Sequence, residues 1–180
     1  VQIAHADTLP NFVWISNVTS HTPNSKPSLI YAPNGTFILF YQGTAPDGIY
    51  ESWSVDALTW SHATLILAVN SQPWHDGGSV CPSVLKETLT GTPYKINGKY
   101  WLAFMGANIT DPRGIIGIAY STDLINWTEV ASPVLTIDDI QPQSYYGGMF
   151  GSPELFVWNA TAYSLLNIMN DYPRTGIMSE

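Results

Sequence analysis

The same succession of short strands and turns passes twice along this 180-residue chain and begins a third time. After Pro27, Ser28-Leu29-Ile30-Tyr31 turns at Pro33-Asn34-Gly35 and continues as Thr36-Phe37-Ile38-Leu39-Phe40-Tyr41, the pattern of a β-hairpin. A Pro46-Asp47-Gly48 turn leads into Ile49 to Ser54, then Val55-Asp56-Ala57-Leu58-Thr59-Trp60 and an apolar run over 64–69. The order returns in Val80-Cys81-Pro82-Ser83-Val84-Leu85, in Ile96-Asn97-Gly98 with the strand after it, and in Ser121-Thr122-Asp123-Leu124-Ile125-Asn126-Trp127. Ser152-Pro153-Glu154-Leu155-Phe156 opens the third copy. No stretch holds a 3.6-residue apolar period for three turns, so the chain reads as strands throughout.

A four-strand meander repeated at this spacing, with Ser-x-Asp-x-x-x-Trp after its third strand, predicts an all-β chain of β-propeller blades. The expected blades cover 27–69, 79–135 and an incomplete 150–180, with 1–26 supplying a strand to another blade. That makes about two and a half to three blades of a partial propeller domain over 1–180. Rings hold four to eight blades and protect their edges by closing, so another chain or a further segment is expected to complete the propeller.

Charged residues make up only 11% of the chain while aromatic residues make up 13%, the balance of a strand-rich protein. A net charge of −8 argues against nucleic acid as a partner, because no basic stripe can displace counterions from phosphate. No apolar run reaches the roughly 18 residues of a membrane span. The expected location is extracellular, with any export signal already removed. Five sequons support it: Asn17-Val-Thr, Asn34-Gly-Thr, Asn108-Ile-Thr, Asn126-Trp-Thr and Asn159-Ala-Thr. Cys81 is the single cysteine, which rules out an internal disulfide and reads as an inert buried thiol.

Several segments together resemble the invertase and inulinase family of β-fructofuranosidases and their arabinanase and xylosidase relatives. They are His21-Thr22-Pro23, Leu29-Ile30-Tyr31, Phe40-Tyr41-Gln42, Ser54-Val55-Asp56 with Trp60, Ile118-Ala119-Tyr120-Ser121-Thr122-Asp123 with Trp127, and Pro133-Val134-Leu135. The resemblance covers roughly 21–170 and implies a five-bladed propeller with an axial funnel. It also implies a carboxylate nucleophile or base on the first blade, a supporting Asp on the third and a Glu acid on the fourth. Lys26 falls where the first acid should stand and Ser152 where the supporting Asp should stand. A lysine has the wrong charge to serve an oxocarbenium-like centre, so enzymatic activity is left open.

Asp76 and Glu154 are the candidate catalytic carboxylates, with Asp47 as a further acid. Asp76 lies in Trp74-His75-Asp76-Gly77-Gly78, where an Asp-Gly turn is the plainer reading. Glu154 could instead pair with Lys26 as a structural salt bridge. Lys26, Trp74, His75, Tyr145 and Tyr146 are the candidate sugar-binding residues, and Trp14 and Trp53 are further stacking faces. Trp60 and Trp127, at equivalent repeat positions, are expected to be structural. No cofactor is expected, although Asp138-Asp139 could hold Ca²⁺, and no transition-metal site is expected. The partner expected is a carbohydrate. Three functions compete: hydrolysis of fructan- or arabinan-like glycans, non-catalytic sugar binding, and a structural or assembly glycoprotein.

Overall fold

The computed structural model describes residues 27–44, 47–109, 111–136, 139 and 148–170. The first sheet contains β1 (Ser28–Tyr31), β2 (Phe37–Thr44), β3 (Asp47–Ser54) and β4 (Thr64–Ala68), paired in that order. All of its pairings are antiparallel, which is the meander of one blade. The second sheet is built on β5 (Gly78–Val84), β8 (Lys99–Asn108), β9 (Asp111–Ser121) and β10 (Thr128–Glu129). Short strands β7 (Lys95–Ile96) and β11 (Leu135–Thr136) add to its edges. The third sheet pairs β12 (Gly148–Trp158) with β13 (Thr161–Asn170), and β12 also takes β6 (Lys86–Glu87) in parallel.

Local chemistry explains why the chain turns where it does. At Asn34-Gly35 the glycine holds φ +84, and Asn34 Oδ1 accepts the Thr36 N–H at 3.2 Å. The two Ser-x-Asp-x-x-x-Trp segments share a set of hydrogen bonds. Asp56 Oδ1 accepts the backbone N–H groups of Leu58 and Thr59, and Asp123 Oδ1 accepts those of Ile125 and Asn126. The indoles of Trp60 and Trp127 donate to the carbonyls of Ala57 and Leu124, two residues held at positive φ. The backbone bonds hold the Asp56 carboxyl down at about 2, and bonds from Asn126 and Ile125 hold Asp123 lower still.

The first two blades pack face to face through one apolar cluster. Ile30, Ile38, Phe40, Ile49 and Leu67 come from the first blade, and Val84, Leu102, Phe104, Ala119 and Leu124 from the second. Fully burying each large aliphatic or aromatic side chain stabilises the fold by about 1.5–3 kcal/mol, so this interface is the principal core of the described residues. The blades therefore follow one another in chain order, as in a propeller. The first strand of each meander contacts its neighbours, and β1, β5 and β12 form the inner layer.

Candidate functional site

Each inner strand runs in the same sense, so the starts of β1, β5 and β12 share one end of the molecule with the β2–β3 and β8–β9 hairpin tips. Asp47 and Asp76 both lie at this end. Asp76 Oδ1 accepts the Ile109 N–H at 2.9 Å, and the neighbouring Gly77 N–H donates to the Ala107 carbonyl at 2.8 Å. Asp76 thereby ties the entry to β5 to the tip of β8–β9. Asp47 has one carboxylate oxygen buried without a hydrogen-bond partner, and its other oxygen lies 3.9 Å from where a Cβ on Gly78 would stand. A buried acceptor left unpaired in this way is unfavourable unless a donor reaches it.

Trp74 and His75 sit on the 3-10 turn Pro73–His75. His75 is enclosed by the protein, whereas Trp74 is half-buried and its Nε1 has no hydrogen-bond partner. His75 is 0% exposed, its Nε2 lies 2.7 Å from Glu129 Oε1, and its Nδ1 bonds Ser79 Oγ at 2.9 Å. Both ring nitrogens are engaged inside the protein, so none faces a ligand. Trp74 lies flat on β8 and β9, stacked against Phe104 with centroids 5.8 Å apart. Glycines make that floor: a Cβ on Gly117 would stand 2.3 Å from the Trp74 ring, and one on Gly106 would stand 2.8 Å from both Trp74 and His75. Trp53 also packs against the core, and its indole donates to Glu51 Oε1 at 3.1 Å.

Glu154 lies on β12 with its side chain 49% exposed, where Oε1 is 3.3 Å from Lys86 Nζ and Oε2 accepts from Ser83 Oγ at 3.3 Å. Lys86 is its cationic partner among the described residues, and the Lys26 pairing lies outside them. Ser83, which touches Glu154, lies toward the end of β5, whereas Asp76 precedes its start. Ser152 Oγ is buried and unpartnered. It falls in a register shift of β12 between Phe150 and Pro153, matched on β5 by the shift between Val80 and Ser83. Cys81 occupies that second bulge, buried and at φ +56, a left-handed conformation that is strained for a side chain other than glycine.

Sequence reasoning missed Glu51. It is 2% exposed, pairs across the sheet with Phe40, and leaves Oε2 without a partner. Burial raises its carboxyl to about 7; the Trp53 indole bond and nearby Trp127 pull it down, while the Asp123 charge pushes it up. The alternation Ile49-Glu51-Trp53 carried the signal, because it places an acid on the same strand face as two large apolar residues.

Lys26, Trp14, Tyr145, Tyr146, Asn17 and Asp138 lie outside the described residues. Asp139 Oδ2 accepts from both the backbone N–H and the hydroxyl of Thr136 at 2.7 Å, which lowers its carboxyl. Among the described residues, no group of three or more His, Cys, Asp and Glu side chains could hold a metal ion, and no helix is long and apolar enough to cross a membrane. The sequons divide by position. Asn34, Asn126 and Asn159 are exposed in turns at the end opposite Asp47 and Asp76, whereas Asn108 lies at the Asp76 end and donates Nδ2 to the Pro73 carbonyl at 3.3 Å.

No family model matches the sequence, and no curated protein matches it. Solved structures do match. The BT0996 RGII complex aligns at a TM-score of 0.61 and 11% identity, over 86% of this chain and 57% of its own. The endo-arabinase of Bacteroides thetaiotaomicron aligns at 0.55 and 18% identity, over 86% of this chain and 59% of its own. The native arabinanase of Bacillus subtilis aligns at 0.53 and 18% identity, over 80% of this chain and 48% of its own. The chain spans about half the length of these proteins, between 48% and 59%. At such identities the likeness concerns the fold alone, and it agrees with the meander topology and repeated turns above: the chain has the β-propeller fold of arabinanases and related propeller glycosidases.

Proposed function

We propose that this chain is an extracellular glycoprotein that binds an arabinan- or fructan-like glycan, without hydrolysing it, at the end of the blades where the inner strands begin. The observation that carries this reading is the separation of the acids: Asp76 and Glu154 belong to opposite ends of β5, and Glu154 is held by Lys86 and Ser83. Lys26 and Ser152 stand where the resembled family has acids. Neutral sugars are bound by hydrogen-bonding groups beside aromatic faces, with no need for a matched acid and base. Asp47 and Asp76 supply acceptors at this end, and Lys26, Tyr145 and Tyr146 are further candidate sugar contacts by sequence. Titration calorimetry with arabinan and inulin oligosaccharides is expected to show binding while reducing-sugar assays on arabinan, inulin and sucrose show no release. Absence of binding to both glycan classes overturns the reading, and sugar release replaces it with hydrolysis.

The sequons support the extracellular half of the proposal. Asn34, Asn126 and Asn159 crowd the end away from Asp47 and Asp76, so glycans there would leave the binding end open. Protein from its native source is expected to lose mass on enzymatic deglycosylation. Unchanged mass would remove the argument for export.

A further inference from the structure

The seam between the first two blades encloses a carboxyl that neither blade fully satisfies. By the alternation of β3, Glu51 shares a face with Ile49 and Trp53, and both of these pack in the apolar cluster that joins the two blades. It is 2% exposed, its Oε1 accepts the Trp53 indole N–H at 3.1 Å, and its Oε2 is buried without a partner. The adjoining strands place Phe40 opposite it on β2 and Thr64 on β4, neither of them ionisable. The second blade brings Trp127, whose ring meets Phe40 edge-on at 5.7 Å, and Asp123 from the same 121–127 loop. Among the described residues Asp123 is the charged group that acts on Glu51, and its sign is the same. Bonds from Asn126, Ile125 and Ser121 keep Asp123 ionised far into the acid range.

We propose that Glu51 is a proton-operated latch between the first two blades: neutral, it lets the 121–127 loop close on β3, and ionised, it drives that loop outward. A neutral carboxyl adds no charge to an apolar seam, whereas a carboxylate there is both desolvated and repelled by Asp123. Outward movement returns Glu51 to water and separates the two like charges. It leaves the loop itself intact, because the bonds of Ile125 and Asn126 to Asp123 and of Leu124 to Ser121 all lie within it. The loop therefore moves as one body and carries Trp127 with it. In the closed seam burial raises the Glu51 carboxyl to about 7, and in the open one it returns toward its ordinary 4.5. Closure is undiminished below the lower value, weakens as pH rises between the two, and is weakest above the higher.

Fluorine NMR of the protein labelled with fluorotryptophan tests this, with the seam signals assigned from Trp53→Phe and Trp127→Phe. Both signals are expected to move with pH through one shared midpoint near 7. The Trp127 signal should also show a solvent isotope shift, water against heavy water, at least about twofold larger at pH 8 than at pH 5, because the open loop admits water. Glu51→Gln, which keeps an acceptor for the Trp53 indole and cannot ionise, should hold both signals near their acid positions throughout. Asp123→Asn retains a side-chain oxygen for its own loop and removes the facing charge, so the transition should persist with a lower midpoint. Trp101, whose indole donates to the Ile96 carbonyl away from this seam, is the internal control. A Trp127 isotope shift that is the same at both pH values overturns the proposal, as does a pH transition that survives unchanged in Glu51→Gln.

Discussion

Replacing His75 with alanine is expected to destabilise the fold by about 3 kcal/mol, the effect of leaving buried hydrogen-bonding groups unpaired and of losing the packing of the ring. The ring is 0% exposed and the Glu129 side chain 5% exposed, so water cannot take over the lost bonds. Glu129 Oε1 and Ser79 Oγ would both lose their partner, leaving Glu129 with only the Ser71 hydroxyl on its other oxygen. The truncation also removes the ring that packs edge-on against Trp74 at 4.4 Å and against Phe104 at 5.7 Å. The consequence extends beyond one side chain. His75 belongs to the connection between the first and second blades, while Glu129 lies on β10, which pairs with β9 over only two residues. Thermal unfolding followed by circular dichroism should show a melting temperature lower by on the order of 10 °C. A fall of only a degree or two would mean that the network contributes little.

Glu51→Gln is expected to remove a pH dependence of on the order of 2 kcal/mol from the stability of this protein. In an unfolded chain Glu51 releases its proton near the ordinary value of 4.5, whereas in the folded protein burial raises that point to about 7. Between these values the folded state holds a proton that the unfolded state has lost, so stability falls as pH rises through the window. Below about 4.5 both states are protonated and the effect vanishes; above about 7 the destabilisation is complete. The full shift would correspond to about 3 kcal/mol, reduced here because local relaxation and solvent screen part of the charge. Glutamine can keep the acceptor for the Trp53 indole and carries no charge to bury. Urea unfolding of both proteins at pH 5 and pH 8 gives the measurement: the variant should gain on the parent by about 2 kcal/mol between the two. A stability difference that does not change with pH would assign the titration to another group.

The strand-and-turn order was legible in the sequence because its determinants are local. Asn34-Gly35 supplies a positive-φ turn, and Ser54-Val55-Asp56 and Ser121-Thr122-Asp123 each close a loop on their own backbone within five residues. These contacts need no distant partner, so their residues announce them. The repeat of the same local rules then determined the blade architecture, because a meander with two apolar faces must pack against another of its kind.

The sites were decided by tertiary structure, because each depends on a partner far away in the chain. Asp76 and Glu154 look alike in sequence as acids beside glycine or proline, yet the β5–β12 contact sends Glu154 to Ser83 and Lys86, at the far end of β5 from Asp76. His75 reads as a candidate sugar contact until β10 brings Glu129 to it across 54 positions. Glu51 reads as one polar residue in a strand until the second blade closes over the face it shares with Phe40. Burial, pairing and proton affinity are set by whatever lies opposite a side chain. In a propeller, what lies opposite is the neighbouring blade.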